Sequence, residues 1–146
     1  MLYIASDHGG YSMKNQIIEH LEIECTDLGC FSIESCDYPN IANILCERIQ
    51  NEDIGILICG SGIGITIAAN RHPHIRCALC HDNLTAKLSR QHNNANVLAL
   101  GGRILGIALA WDIVHAFLDT QFDGGDRHIK RTCVGHKPAV AKKLCL

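Results

Sequence analysis

Apolar residues along this chain follow two rhythms. Five short runs, at 2–6, 24–28, 54–59, 75–80 and 96–100, read as strand candidates, while the segments between them return an apolar residue every three or four positions. Runs such as "ILIC" and "VLAL" lack the alternation of a half-exposed strand, which marks strands covered on both faces. The longer segments have helical spacing: 12–22 (Met13, Ile17, Ile18, Leu21), 40–51, 63–71 and 83–92 (Leu84, Leu88), then an apolar helix at 104–119 and a basic one from about 126. Strands alternating with helices predict crossover units, hence an α/β fold: a five-stranded parallel sheet with helices on both faces, a three-layer α/β/α sandwich. No linker, repeat or compositional break interrupts the pattern, so residues 1–146 are expected to form one domain ending in a helical tail.

Helix 104–119 carries Ile104, Leu105, Ile107, Leu109, Trp111, Ile113, Val114 and Phe117 around nearly its whole circumference. A domain this small cannot readily cover every side of such a helix, so a homodimer is expected.

Parallel sheets bind ligands outside the carboxyl ends of their strands, near a topological switch point. Those ends read "SDHGG" (6–10), "DLG" (27–29), "CGSGIG" (59–64), "CHDN" (80–83) and "LGGR" (100–103), which set acid, imidazole, thiol and guanidinium groups beside glycine on one expected edge. The glycine loop fits no common phosphate motif. Gly60, Gly62 and Gly64 give G-x-G-x-G with Ile65 where a dinucleotide fingerprint needs its third glycine; the P-loop lysine is missing, and Ser61 directly follows Gly60, unlike a nucleophile elbow. What remains is a strand-to-helix turn whose N–H groups at Gly60, Ser61, Gly62, Ile63 and Gly64 suit an anion or a developing oxyanion, or glycines that serve tight turning alone. Cys59 stands at its mouth. A thiol beside a helix N-terminus is favoured as thiolate, which suits a base or nucleophile; the alternative is a small core residue.

Composition narrows the possibilities. With 47% hydrophobic and 19% charged residues over 146 positions, the chain can bury a core and is not disordered. A net charge of −2 excludes a general nucleic-acid binder. No apolar stretch has membrane-spanning length, and the chain enters a strand-like run at Leu2 without a basic leader, so a soluble cytoplasmic protein is expected. Nine cysteines, an odd number without an export signal, are expected to be reduced. "CALCH" (77–81) resembles a haem-attachment signature, but it lies in a strand, where positions three apart face opposite sides, and no second pair stands at zinc spacing. Neither metal nor haem is expected.

Further candidates each have a plain alternative. Asp7 and His8 could orient a hydroxyl and bind phosphate, or form a helix cap with an exposed imidazole. His92 and Asn93 close a helix, where capping is the ordinary role. Arg127 and Arg131 share a helical face with His128 nearby, and Arg103 follows "LGG"; together they could grip phosphate, or remain a solvated basic face.

In order along the chain, "SDHGG", "DYPN", "ILICGSGIGITIAAN", "LSRQHNNANVLALGGR" and "GGDRHIKR" resemble the ribose-5-phosphate isomerase type B family, which includes the galactose-6-phosphate isomerase subunits. The resemblance covers nearly the whole chain. It implies a Rossmann-like fold and dimers whose pockets take residues from both subunits. It implies that Cys59 is the base for proton transfer, that Gly60, Ser61, Gly62, Ile63 and Gly64 hold the enediolate, and that His92 opens the sugar ring beside Asn93. Asp7, His8 and Tyr38 would line the sugar pocket, and Arg103, Arg127 and Arg131 would bind phosphate. One branch of the family lacks the cysteine and uses a glutamate after the last loop glycine; Ile65 stands there, leaving the thiol as the loop's base. The chain departs from the pattern at Asp126, inserted before Arg127, and at Gly135 and Pro138 in the tail. No redox step is implied, so no cofactor is expected. Rival readings are a six-carbon aldose phosphate, such as galactose or allose 6-phosphate, and a non-catalytic nucleotide-binding module.

Overall fold

A computed structural model describes residues 1–134. The chain runs β1 (Leu2–Ser6), α1 (Tyr11–His20), β2 (Cys25–Asp27), α2 (Tyr38–Arg48), β3 (Ile54–Cys59), α3 (Ile63–Ala69), β4 (Cys77–Leu79), α4 (Asn83–Asn93), β5 (Val97–Gly101), α5 (Ile107–Asp119) and α6 (Asp126–Val134). Every strand pairing is parallel, in the order β2-β1-β3-β5-β4. The order reverses between β1 and β3, so the switch point lies between their carboxyl ends.

Register sorts the apolar runs into two cores. Leu2, Ile4, Ile56, Ile58, Leu98 and Leu100 meet α1 and α5 on one face; Ala5, Leu57, Cys59, Val97 and Ala99 meet α2 and α3 on the other. Each large aliphatic side chain fully buried this way stabilises the fold by about 1.5–3 kcal/mol. The same alternation separates Cys77 from Cys80, which pack into opposite cores, so the "CALCH" thiols cannot share a ligand. Burial pushes the Cys46 thiol up to about 12 and raises Cys77 and Cys80 as well, leaving them inert packing residues.

Several boundaries differ from the sequence pattern for local reasons. Strands β2 and β4 are shorter than 24–28 and 75–80, since each sits at an edge with one pairing neighbour. Helix α2 begins two residues early, at Tyr38, because Pro39 suits the first turn, and it ends at Arg48 where Ile49 turns extended. Helices α1 and α3 likewise stop at His20 and Ala69, before Leu21 and Asn70 leave helical geometry. Helix α5 starts at Ile107, not 104, because the N–H groups of Ile104 and Leu105 turn back onto the Gly101 carbonyl. It buries a single stripe (Ala110, Ile113, Val114, Ala116, Phe117) and leaves Leu109 exposed.

Among the described residues seven cysteines are free thiols, whereas Cys133 is disulfide-bonded, a departure from the fully reduced set. It stands on α6, outside both cores. Gly135 and Pro138 lie outside the described residues. Among the described residues no helix is long and apolar enough to cross a membrane.

Among the described residues one charged side chain is wholly buried. The Lys14 ammonium, 0% exposed, donates to both Asp27 carboxylate oxygens at 2.8 and 2.7 Å and to the Cys30 carbonyl at 2.7 Å. The Tyr11 and Phe31 rings lie 5.6 and 5.1 Å from it. Asp27 also accepts from the Gly29 N–H at 2.9 Å, so the pair ties α1 to the segment leaving β2. Asp27→Ala would strand the ammonium in the interior; a loss of about 3 kcal/mol in urea unfolding is expected.

Candidate active site

Strand β3 ends at Cys59 and the chain reverses over three residues into α3. Gly62 makes this possible: its φ is +78°, and a β-carbon there would lie 2.5 Å from Leu79 Cδ1 and 2.9 Å from the Leu100 carbonyl carbon. The turn brings the Gly62 N–H to the Cys59 sulfur at 3.1 Å. Cys59 is only 4% exposed. Ser61 Oγ accepts from the Ile63 N–H at 3.3 Å, and Thr66 Oγ1 donates to the Gly62 carbonyl at 2.6 Å, which fixes the first turn of α3.

Two neighbouring loops lie directly on this one. A β-carbon at Gly9 would lie 2.9 Å from the Gly60 nitrogen, and one at Gly102 would lie 2.7 Å from the Gly9 carbonyl oxygen. The Gly102 N–H donates to the Cys59 carbonyl at 2.8 Å and the Arg103 N–H to the Gly60 carbonyl at 2.9 Å. Arg103 thereby lays its guanidinium over Gly60. Asp7, nearly buried, donates its N–H to the Ile58 carbonyl at 3.0 Å and accepts from the Gly10 N–H at 3.1 Å. His8 Nδ1 accepts from the Cys36 N–H at 3.3 Å, so a neutral ring carries its proton on Nε2. The Tyr38 ring covers Gly64, where a β-carbon would fall 2.7 Å from Tyr38 Cζ. Asp7, His8, Tyr38, Cys59, the glycine loop and Arg103 therefore gather at the β1–β3 switch point.

His92, Asn93, Arg127 and Arg131 do not join them. Helix α4 runs against the strands and ends at Asn93, just before β5 enters the sheet at Val97. Val97 pairs with Gly55, whereas Cys59 pairs with Gly101. The two levels are four residues apart, about 13 Å along the strand. His92 stacks on His128 of α6, ring centres 4.5 Å apart and planes 4° from parallel. Arg127 approaches His128 Nε2 at 3.4 Å. Asp126 begins α6, where a carboxylate suits the helix N-terminus, and the exposed Arg127 and Arg131 follow one turn apart. Asn93 and Arg131 border a cavity of about 570 Å³ with Arg71 and Arg76 and no carboxylate.

Sequence reasoning missed three participants. His128, the stacking partner of His92, sat unassigned between the arginines. Asp123 lies 3.6 Å from His128 Nε2 across the short loop that enters α6, while the Cys36 amide reaches His8 from a distant segment; no local pattern marks either. Among the described residues no group of three or more His, Cys, Asp or Glu side chains could hold a metal.

Residues 2–133 match the model of the Ribose/Galactose Isomerase family. The chain belongs to that family. Ribose-5-phosphate isomerase B of Escherichia coli is 45% identical over 130 residues, covering 86% of this chain and 87% of that protein. A putative sugar phosphate isomerase of Bacillus subtilis is 46% identical over 134 residues, covering 88% and 89%. Among solved structures, ribose-5-phosphate isomerase B of Clostridium thermocellum superposes with a TM-score of 0.90 at 44% identity, covering 97% of each chain. The Mycoplasma genitalium enzyme with bound ribulose 5-phosphate superposes with a TM-score of 0.85 at 40% identity, covering 89% and 90%. Family membership gives the cluster at the switch point an isomerase context.

Two expectations follow. Gly64→Ala keeps the helix but forces the Tyr38 ring aside; the melting temperature should hold while KM in an isomerase assay rises several-fold. Burial, then the neighbouring His92 and Arg127, hold His128 below its ordinary 6.5, so the unfolded chain binds the proton more readily. Its contribution to stability is present above pH 6.5 and lost as pH falls through the folded value. Urea midpoints should therefore drop on acidification more steeply for the native protein than for His128→Gln.

Proposed function

We propose that the protein interconverts ribose 5-phosphate and ribulose 5-phosphate, with Cys59 as the base. The observation that carries this reading is the Cys59 sulfur at the head of the glycine loop, with Asp7, His8 and Arg103 set around the same switch point. Moving a carbonyl between the first two carbons requires removal of a proton from the carbon beside it. The thiolate of Cys59 takes that proton and returns it to the neighbouring carbon. Negative charge meanwhile grows on the carbonyl oxygen, and the N–H groups of residues 60–64 stabilise it without reorganising, a contribution of several kcal/mol. Hydride never moves, so the reaction calls for no nicotinamide.

His92, Asn93, Arg127 and Arg131 enter through a second copy of the chain. They occupy the opposite end of the strands, so a complete site forms when one protomer's Cys59 edge meets its partner's α4–α6 end. Exposed apolar residues support such a contact: Ile63 and Ile67, one turn apart on α3, are each 55% exposed, and Ile104 is 60% exposed. In the assembled site the partner's His92 shuttles the proton that opens the sugar ring, and its arginines hold the phosphate. Orientation of the reacting end then follows from the grip on the far end. Seven free thiols among the described residues, set against the one disulfide at Cys133, suit a reducing compartment such as the cytoplasm.

The decisive test is an aldose–ketose assay on purified protein with ribose 5-phosphate and no added metal or cofactor. Cys59→Ala should lower kcat by about 10³-fold while substrate still binds; retention of most of the turnover would remove the thiol from the mechanism. Mixing inactive Cys59→Ala and His92→Ala chains should restore about a quarter of native activity, because half of random dimers carry one intact site of two. Failure to complement would place both groups in one subunit. Competition between five- and six-carbon phosphates settles pocket length, and tight nucleotide binding without turnover would favour the non-catalytic rival.

A further inference from the structure

The thiols of this chain differ sharply in setting. Cys46, Cys59, Cys77 and Cys80 are buried, whereas Cys30 and Cys36 are partly exposed on the segment joining β2 to α2. Both lie against the edge of the core beneath α2 and α3. Their backbones are anchored two residues apart on the β1 end, the Cys30 N–H on the Ser6 carbonyl and the Cys36 N–H on His8 Nδ1. The two thiols influence each other's ionisation, and Cys30 Sγ donates to the Ser32 carbonyl at 3.4 Å. The backbone around them is pinned to the β1 end. Gly29 accepts from the Ser6 N–H and Cys30 donates to the Ser6 carbonyl, both at 2.6 Å, immediately before Asp7. Lys14 holds the Cys30 carbonyl from below, and the Cys36 N–H is the donor to His8.

We propose that Cys30 and Cys36 form a reversible dithiol–disulfide site, oxidised by a hydroperoxide, whose state is transmitted to His8. The two sulfurs are unequal in a way that assigns their roles. The Ser32 backbone, the neighbouring Cys36 and the Lys14 charge hold the Cys30 thiol below its ordinary value, while burial raises that of Cys36. Cys30 is the attacking thiolate and Cys36 the resolving thiol. The Cys30 sulfur attacks one peroxide oxygen and the O–O bond breaks. One oxygen stays as the Cys30 sulfenic acid and the other leaves, protonated, as water (or as the alcohol of an organic hydroperoxide). The Cys36 sulfur then attacks the Cys30 sulfur, the S–O bond breaks, and hydroxide departs with the Cys36 proton as water. Two thiols lose two electrons and the peroxide gains them; a dithiol reverses the change by exchange. Closing the bond draws the sulfurs together to about 2.05 Å. The Cys36 amide moves with its side chain, so its hydrogen bond to His8 is the first connection disturbed.

The chemical step stands apart from the proposed isomerisation, while its effect on turnover rests on that reading. The full chain is titrated with hydrogen peroxide, remaining thiols are alkylated, and linkages are mapped by mass spectrometry beside ribose 5-phosphate kinetics. The expected first product is a Cys30–Cys36 link, cleaved by dithiothreitol and absent from Cys36→Ser, in which dimedone captures the Cys30 sulfenic acid. KM should rise several-fold on oxidation and return on reduction. Oxidation of Cys25 or Cys59 first, with Cys30 and Cys36 still alkylated, overturns the proposal, and a mapped link with unchanged KM overturns its connection to His8. Absence of turnover in the reduced protein would remove the isomerase assignment instead, and the linkage map would still decide the dithiol site.

Discussion

Three loops in this protein touch backbone to backbone, and the site exists because nothing stands between them. The turns after β1, β3 and β5 approach until no β-carbon fits at Gly9, Gly10, Gly62, Gly101 or Gly102 without displacing a neighbour's main chain or core side chain. That closeness lets main-chain groups of one loop serve another. Ile58 receives the Asp7 amide, Cys59 receives Gly102, and Gly60 receives Arg103. Carbonyl groups at the strand ends are consumed in this way, while Asp7 and Arg103 are delivered to the two sides of the turn that carries Cys59. Glycine here has less to do with flexibility than with removing side-chain volume from a three-way contact.

Topology then divides the chemistry. Helices in a parallel α/β sheet run against the strands, so a residue ending a helix stands at the amino edge and a residue ending a strand at the carboxyl edge. His92 and Cys59 obey that rule and are held apart by the body of the sheet. An enzyme that needs both must bring two copies together, and the exposed isoleucines of α3 beside the glycine loop give the second copy an apolar surface to meet. Oligomerisation is in this reading part of the catalytic geometry and not an addition to it.

Lys14 places a wholly buried ammonium against the partly exposed Asp27, and the position of the pair gives it a structural task. An apolar pair of equal volume would fill the space but would not hold the Cys30 carbonyl, and with it the segment from which Cys36 reaches His8. The ammonium converts an otherwise irregular connection into a shelf for the loop that carries His8. Reactivity among the thiols follows from their settings: burial raises Cys46, Cys77 and Cys80, whereas on the shelf Cys30 is lowered by the Ser32 backbone and Cys36 raised by burial.

Continuous apolar runs and glycine-rich strand ends were enough to place five parallel strands between two helical layers and to single out Cys59, Asp7, His8 and Arg103. Covalent neighbours carry that information, since period, turn chemistry and strand polarity are local properties. Which face each strand residue takes was hidden by the very continuity of the runs, and register with β1 and β5 decided it. The stacking of His92 on His128, the Cys36 amide on His8 and the Lys14 clamp join segments far apart in sequence, so only the folded chain could reveal them. Sequence order listed Cys59 and His92 as one set of candidates; the direction of α4 against β3 set them at opposite ends, because a helix that returns the chain to begin the next parallel strand must finish where strands start.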